Sequence, residues 1–288
     1  MTGTPHPLRG ILQMLAAVLC FALLDATAKH LSQKFPVPML VWARYTLHFV
    51  LMLLFLAPTL RWNLVATRRP VLQIVRALML VGVTGFAMAA FRHLPLAETT
   101  ALLFITPLIV ALLAGPFLGE RLRPLHWAAS VCGFGGALLI ARPDGALNAT
   151  GLALVVAAAL CYSVYQIQTR LLSPTENTLT MLFYTALVGT VGMTLAAPLY
   201  WSGPLPDWRE GLMIASLGLY GGTGHFLLIS AFRHAPATTL SPFLYVQLIW
   251  ATLLGWLVFG HWPDGATLLG MAVIAASSAS LALTQRRA

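Results

Sequence analysis

Long apolar segments recur along the whole chain, separated by short stretches that contain charged residues, proline or glycine. Each segment is close to the roughly 20 residues that an α-helix needs to cross the hydrocarbon layer of a bilayer. The pattern predicts ten spans, near 9–31, 38–58, 71–91, 96–118, 124–141, 149–171, 177–198, 210–231, 238–259 and 264–284. Because the loops between them are short, we expect an all-α, multi-pass membrane protein without an extramembrane domain.

The composition changes this picture little. Only 9% of the 288 residues are charged and the mean hydropathy is +0.82, whereas about a quarter of a soluble domain is charged. A water-soluble enzyme is therefore not expected. The net charge of +9 is spread over short loops, which argues for topology signals and lipid contact rather than nucleic-acid binding. The three cysteines, Cys20, Cys132 and Cys161, lie in apolar segments without metal-ligand spacing, so we expect no metal site and no cofactor.

The two halves of the chain share one sequence pattern at a constant offset. The sequence Ala-Phe-Arg-His at 90–93 recurs at 231–234, which is 141 residues later. The same shift takes residues of the first half onto similar residues of the second: Gly10 to Gly151, Cys20 to Cys161, Phe21 to Tyr162, Lys29 to Arg170, Pro95 to Pro236 and Gly119 to Gly260. Such a duplication predicts two repeat domains, 1–143 and 144–288. It also makes the first span a retained helix rather than a signal peptide.

Each predicted repeat contains five spans, an odd number, so the second copy has to enter the membrane from the opposite side. Inverted repeats are typical of secondary transporters, in which two halves rock around a site near the membrane midplane. Eleven of the 17 lysine and arginine residues fall on the side of the amino terminus and six on the other side. The positive-inside rule therefore predicts an inner-membrane protein with both termini in the cytoplasm.

A set of short motifs surrounds the fourth and fifth spans: Leu96–Thr100 with the sequence Leu-Ala-Glu-Thr-Thr, Pro107, Gly119–Arg121 and Gly133–Gly136. These motifs resemble the drug/metabolite transporter superfamily, specifically its EamA-type branch of ten-helix transporters, and the resemblance covers essentially the whole chain. It implies transport of a small molecule, since similar members move amino acids, vitamins, nucleotide-like metabolites and drugs. The chain departs from the pattern where the second copy usually carries a Gly-Glu pair. Here Gly260 is followed by His261, which could titrate in place of a carboxylate.

Four ionisable residues lie inside the predicted spans: Asp25, Lys29, Arg44 and Glu98. Ionisable groups are costly in a membrane, so they usually face the protein interior or a wet cavity. All four are expected in the outer half of the membrane, where they could meet. Asp25 and Lys29 are four residues apart, which suits a structural ion pair on one helix face. The alternative hypothesis is that Asp25, Lys29 and Glu98 gate the transporter or couple it to protons.

Arg44 has two possible partners. An arginine is a bidentate donor for carboxylates, and the carboxylate is either that of Glu98 or one on a substrate. The repeat offset sends Asp25 to Gln166 and Glu98 to Thr239. We therefore expect an electrostatic gate on the outer side and a neutral gate on the inner side.

Aromatic and amide side chains of the second half are further candidates for substrate binding. They lie on the sixth, eighth and ninth spans: Tyr162, Gln166, His225, Tyr245, Gln247 and Trp250. Rings with a few convergent polar groups form a typical small-molecule pocket. The alternative interpretation assigns such residues to interfacial belts and to hydrogen bonds between helices. Gly221, Gly222 and Gly224 beside His225 favour close helix packing, or else a hinge.

The sequence contains no nucleotide-binding or hydrolase motif, so we expect no catalytic residues, and transport driven by a gradient or by exchange. The main prediction is a secondary transporter that exports a small polar or zwitterionic, amino-acid-like metabolite by alternating access. Alternatives are transport of a flat heteroaromatic metabolite, such as a flavin or an adenosyl compound, and a lipid-carrier flippase. The expected partners are the substrate and the bilayer, and the expected assembly is a monomer or homodimer.

Overall fold

The computed structural model describes residues 7–55, 65–106, 108–110, 112–113, 124–141, 148–172, 175–200, 204–234, 243–244 and 246–284. These residues form ten helices and contain no β-strand. The helices are α1 (Pro7–Ser32), α2 (Val37–Phe55), α3 (Pro70–Ala90), α4 (Leu96–Leu103), α5 (Pro124–Ala141), α6 (Ala149–Leu172), α7 (Thr178–Tyr200), α8 (Trp208–His234), α9 (Val246–Phe259) and α10 (Gly265–Thr284). The prediction of an all-α protein with ten helices is confirmed.

Six of the described helices are long and apolar enough to cross a membrane, namely α1, α2, α3, α6, α7 and α8. Apolar helical segments in the remaining spans are shorter, for example the 14 residues of α9. In the α4 region, a turn at 104–105 separates Leu96–Leu103 from the helical residues that follow. The helix of the fourth span is therefore interrupted at residues 104–105.

Side-chain caps begin four helices of the second repeat. Asn148 accepts the N–H of Gly151 at 3.0 Å at the start of α6, and Asn177 accepts the N–H of Leu179 at 2.8 Å at the start of α7. Asp207 and Asp264 cap α8 and α10 in the same way. Because these oxygens satisfy amides that the first turn leaves unpaired, they fix where the helices begin.

The main contacts between helices of the two repeats have counterparts in which both helices are replaced by their equivalents in the other repeat. The contact of α1 with α8 has its counterpart in the contact of α6 with α3, and that of α2 with α8 in that of α7 with α3. Three contacts join equivalent helices of the two repeats, α2 with α7, α4 with α9 and α5 with α10. Because duplicated sequences present duplicated faces, the packing follows the approximate two-fold relation expected of two inverted five-helix repeats.

Two glycines let α5 and α10 approach each other at their backbones. A Cβ at Gly136 would lie 2.9 Å from the carbonyl oxygen of Gly270, and a Cβ at Gly270 would lie 2.6 Å from that of Gly136. Small residues commonly permit such approaches between membrane helices. These glycines therefore set the distance between the last helices of the two repeats.

Polar contacts connect the repeats at both ends of the helix bundle. At one end, which we call the Lys34 end, Lys34 after α1 forms an exposed ion pair with Glu210 in the first turn of α8. At the opposite end, the Glu176 end, the carboxylate of Glu176 before α7 accepts the N–H of Arg68 at 3.0 Å and the side-chain amide of Gln73 at 3.4 Å. Both contacts join the loop after one repeat's first helix to the start of the other repeat's third helix.

Substitution at the α5–α10 crossing is expected to destabilise the protein. Gly136→Ala and Gly270→Ala each place a methyl group against backbone, and overpacking of this kind costs about 1–3 kcal/mol. Gly135→Ala is the matched control, because its Cβ position has no atom within 4 Å. The measurement is the Tm of each purified variant in detergent. Equal Tm values for the Gly135 and Gly136 variants would contradict the role of the close approach.

The contact at the Glu176 end predicts a pH effect on stability. Burial favours a raised pKa for Glu176, but hydrogen bonds from Thr67, Arg68 and Gln73 and the charge of Arg68 outweigh it and lower the pKa. A carboxylate with a lowered pKa stabilises the fold above its unfolded pKa and loses this effect as the pH falls through the folded value.

Glu176→Gln should therefore reduce the free energy of unfolding by about 2 kcal/mol near neutral pH, the contribution typical of hydrogen bonds to a charged group. The Tm difference from the wild type should shrink below about pH 4.3, the ordinary glutamate pKa. Glu210→Gln at the other end removes an exposed ion pair and should cost less, because solvent screens exposed pairs. Parallel Tm curves of wild type and Glu176→Gln across this pH range would disprove the stabilising carboxylate.

Candidate substrate-binding site

A polar contact between the repeats lies in the middle of the bundle. Asp25 of α1 is half-buried, and its Oδ2 accepts a hydrogen bond from Nε2 of Gln247 of α9 at 3.2 Å. The guanidinium of Arg44 on α2 is near enough to act electrostatically on Asp25. Helices from both repeats therefore place a carboxylate, an amide and a guanidinium near one another.

Arg44 is held in place from α3. Its Nη1 donates to Oγ1 of Thr84 at 3.1 Å, and its guanidinium lies 5.6 Å from the ring centroid of Tyr45. The hydroxyl of Tyr45 lies 2.9 Å from Thr84 Oγ1 and donates to the carbonyl of Leu80 at 3.0 Å. A guanidinium carries five N–H donors, so Arg44 can bind an anionic group while it keeps its contact with Thr84.

Several aromatic rings lie near Arg44. The rings of His48 on α2 and His225 on α8 are nearly parallel, at an angle of 5° and a centroid distance of 6.5 Å. Phe21 on α1 meets His225 edge-on at 5.0 Å. Tyr162 on α6 stacks with Tyr165 at 5.9 Å and experiences the charge of Arg44, as His48 and His225 do. The site thus combines flat apolar surfaces with a few polar groups, as small-molecule pockets usually do.

The four charged residues expected to meet fall into two groups. Lys29 does not serve as the i,i+4 partner of Asp25, because its Nζ donates to the carbonyls of Phe91 at 2.8 Å and Leu94 at 2.6 Å. These carbonyls follow the end of α3, where a helix leaves acceptors unpaired. Asp25 and Arg44 form the central group, while Lys29 lies near Glu98 at the Lys34 end.

Glu98 is paired with His261 and not with Arg44. Its Oε1 lies 2.9 Å from Nε2 of His261, and its side chain is only 5% exposed. Gly260, with φ of 66°, ends α9 and brings His261 back towards α4. A side chain at this left-handed position would be strained. His261, which stands where the resemblance implies a carboxylate, therefore links the two repeats.

The remaining predicted residues have different surroundings. Gln166 is half-buried on α6, one turn from Tyr162. Trp250 packs in an apolar cluster with Met14 and Val18 of α1, and its buried Nε1 has no hydrogen-bond partner in the described part of the chain. Tyr245 lies outside the described residues, so its role stays a prediction.

A buried arginine was not recognised from the sequence, where Arg76 counted only as a charge on the cytoplasmic side. Arg76 of α3 is 1% exposed, and its guanidinium donates to Thr169, Thr185 and the carbonyl of Met181. It also lies 5.0 Å from the ring centroid of Tyr165. Arg76 therefore connects α3 with α6 and α7.

Phe21, His48 and Thr84 were likewise missed as parts of the site. The repeat contained a signal for two of them, because the offset of 141 pairs Phe21 with Tyr162 and Thr84 with His225. Both members of each pair reach the centre, as the two-fold relation of the repeats requires. His48 aligns with a glycine and had no such signal.

Comparisons with known proteins identify the family of the chain. A model of the EamA-like transporter family matches residues 8–142 and again residues 149–283. A riboflavin transporter of Vibrio cholerae is 30% identical over 95% of this chain and 93% of the relative. An S-adenosylmethionine uptake transporter of Rickettsia bellii is 28% identical over 78% of this chain and 77% of the relative. A pseudopaline exporter of Pseudomonas aeruginosa is 29% identical over 96% of this chain and 97% of the relative.

A solved crystal structure has the same fold, with a TM-score of 0.68 at 22% identity over 96% of this chain and 98% of its own. Two related five-helix repeats are typical of membrane transporters. The chain belongs to the EamA-like transporter family, within the drug/metabolite transporters. Its function is therefore the transport of a small metabolite and not catalysis.

The pairing of Glu98 with His261 predicts a measurable coupling. His261→Ala leaves a buried carboxylate without its donor, which should cost about 1–3 kcal/mol. The double variant Glu98→Gln/His261→Ala should lose less than the sum of the single variants, because the two residues interact directly.

Thermal unfolding in detergent measures this cycle. His30→Ala, an exposed histidine at the same end of the bundle, is the control and should leave the Tm unchanged. Additive losses in the double variant would show that the contact between Glu98 and His261 contributes nothing to stability.

Proposed function

We propose that this transporter moves a small metabolite with a flat heteroaromatic ring, such as a flavin or an adenosyl compound. The relatives named for riboflavin and S-adenosylmethionine support this substrate class above the amino-acid-like one expected first from the charged residues. The proposal concerns the class of substrate and not a particular compound.

One observation carries the proposal: rings and charges meet at the same place between the repeats. Phe21, His48 and His225 offer aromatic faces and edges, and Arg44 acts electrostatically on both histidines. Stacking on such rings holds a flat ligand through dispersion and burial. The hydrogen-bonding groups of Asp25 and Gln247 supply polar contacts for its substituents.

An amino-acid-like zwitterion is the second candidate, with its own supporting observation. Asp25 can accept from an ammonium group and Arg44 can donate to a carboxylate, and the two lie close enough to interact. The relative named as a pseudopaline exporter shows that the family is not confined to flavin and adenosyl transporters. An adenosyl compound with an amino-acid tail belongs to both candidate substrate classes.

The arrangement of the two repeats supports transport by alternating access. In this proposal Lys29 and Glu98 gate the Lys34 end, which faces the outside when both termini are cytoplasmic. The relatives are named for uptake and for export, and export by this chain stays a prediction. The same holds for coupling to protons and for a monomeric or homodimeric assembly.

The test is transport into liposomes that contain the purified protein. Riboflavin and S-adenosylmethionine should exchange in counterflow, and Arg44→Ala should slow S-adenosylmethionine exchange about 10- to 100-fold, because one charge-assisted contact is lost. Arg209→Ala is the control, since this arginine lies over the ring of the exposed Trp208 at the start of α8. Exchange of methionine but of neither ring compound would replace the first candidate by the second.

A further inference from the structure

Three glycines of α8 occupy positions where a side chain would meet residues of the central site. A Cβ at Gly224 would lie 2.7 Å from Cε1 of Phe21, and one at Gly222 would lie 3.3 Å from Cδ2 of His48. A Cβ at Gly221 would lie 3.4 Å from Nε of Arg44. These three neighbours come from two helices, α1 and α2, and all of them face the same site.

Gly222 and Gly224 differ from a nearby glycine of α8 in the atoms that a side chain would meet. The helix-packing role belongs to Gly218, whose Cβ would lie 2.5 Å from Cβ of Leu47 and 3.1 Å from the backbone of α2. At Gly222 and Gly224 the near atoms are instead ring atoms of His48 and Phe21. The missing side chains therefore determine where two aromatic rings lie.

The rings so placed form a corner. His48 and His225 present nearly parallel planes, and Phe21 stands at 62° to His225. A flat ring that lies parallel to the imidazole planes can stack on them and meet Phe21 at its side, in the offset and edge-on arrangements that aromatic pairs prefer. An acyclic chain would gain far less from this arrangement.

We propose that Phe21, His48 and His225 form the subsite for the flat ring of the substrate and that Gly222 and Gly224 determine its dimensions. This inference rests on the proposed function and assigns each part of the substrate to its own residues. Arg44 and Asp25 bind the polar substituents, and the corner formed by the three rings binds the flat ring. The ligand class is a planar heteroaromatic ring system.

The two glycines should differ in effect. A methyl at Gly224 would meet three ring atoms of Phe21, at 2.7, 2.9 and 3.2 Å, so the whole ring has to move. A methyl at Gly222 would meet one atom of His48 at 3.3 Å and others at 3.8 Å, so a small shift accommodates it. Loss of ring binding should therefore be larger for Gly224→Ala than for Gly222→Ala.

The experiment measures equilibrium binding of three probes to the purified protein: riboflavin as a ring without charge, S-adenosylmethionine as a ring with a zwitterionic tail, and methionine as the tail alone. Gly224→Ala should raise the Kd for riboflavin at least about tenfold and change the Kd for methionine less than twofold. Gly211→Ala, on the same helix with no atom within 4 Å of its Cβ position, should change neither.

A double variant tests the physical cause. Phe21→Leu should weaken riboflavin binding by itself, and Gly224→Ala should add little to it, because the ring that the methyl displaces is gone. If the Kd for riboflavin rises in the double variant by the product of the two single effects, the substitutions act independently. This result would contradict the proposed contact between the methyl group and the ring of Phe21. The Tm of each variant shows that it is folded, and Gly222→Ala, with its milder contact, provides the comparison if Gly224→Ala is unstable.

The remaining outcomes separate this inference from the proposed function. If the wild type binds riboflavin and neither glycine variant changes the Kd, the proposed subsite is wrong and the substrate class still holds. Equal weakening of methionine and riboflavin by Gly224→Ala would also overturn it, since the effect would then be general. Wild-type binding of methionine alone would contradict the proposed function and the subsite together.

Discussion

Polar side chains inside a membrane have to find partners within the protein, because the hydrocarbon layer provides no water to hydrogen-bond them. This constraint determines how the helices of the transporter meet. Asp25 is bound by Gln247 from the other repeat, and Arg44 by Thr84 of the neighbouring helix. Lys29 binds carbonyl groups beyond the end of α3. Each charged group thus joins two helices, and the positions of these contacts define the centre and one end of the molecule.

In the proposed alternating-access cycle, the contacts between the repeats are those that have to change. When the two halves move relative to each other, the bonds from Asp25 to Gln247 and from Glu98 to His261 cannot both keep their geometry. Oε2 of Glu98 is buried and unpartnered in the described part of the chain, so this carboxylate has an acceptor to offer a new donor. A substrate that binds Asp25 or Arg44 would compete directly with the contacts that hold the centre together.

Glycine has two uses in this fold, and both depend on a missing Cβ. At Gly136 and Gly270 its absence allows two backbones to touch, which sets the distance between helices. At Gly222 and Gly224 it leaves room for aromatic side chains of other helices. The same residue type therefore contributes to helix packing in one place and to the shape of the proposed binding site in another.

The sequence by itself determined the helices, their number and their duplication, because the length of an apolar segment and a motif repeated after 141 residues can both be read from the order of residues. It also singled out Asp25, Arg44 and Gln247, since polar groups in apolar spans are costly to bury and usually have a functional role. Only the tertiary structure decided the pairing: Glu98 with His261 rather than with Arg44. Partners 163 residues apart are chosen by how helices pack and rotate, and that geometry depends on all the contacts of the bundle at once.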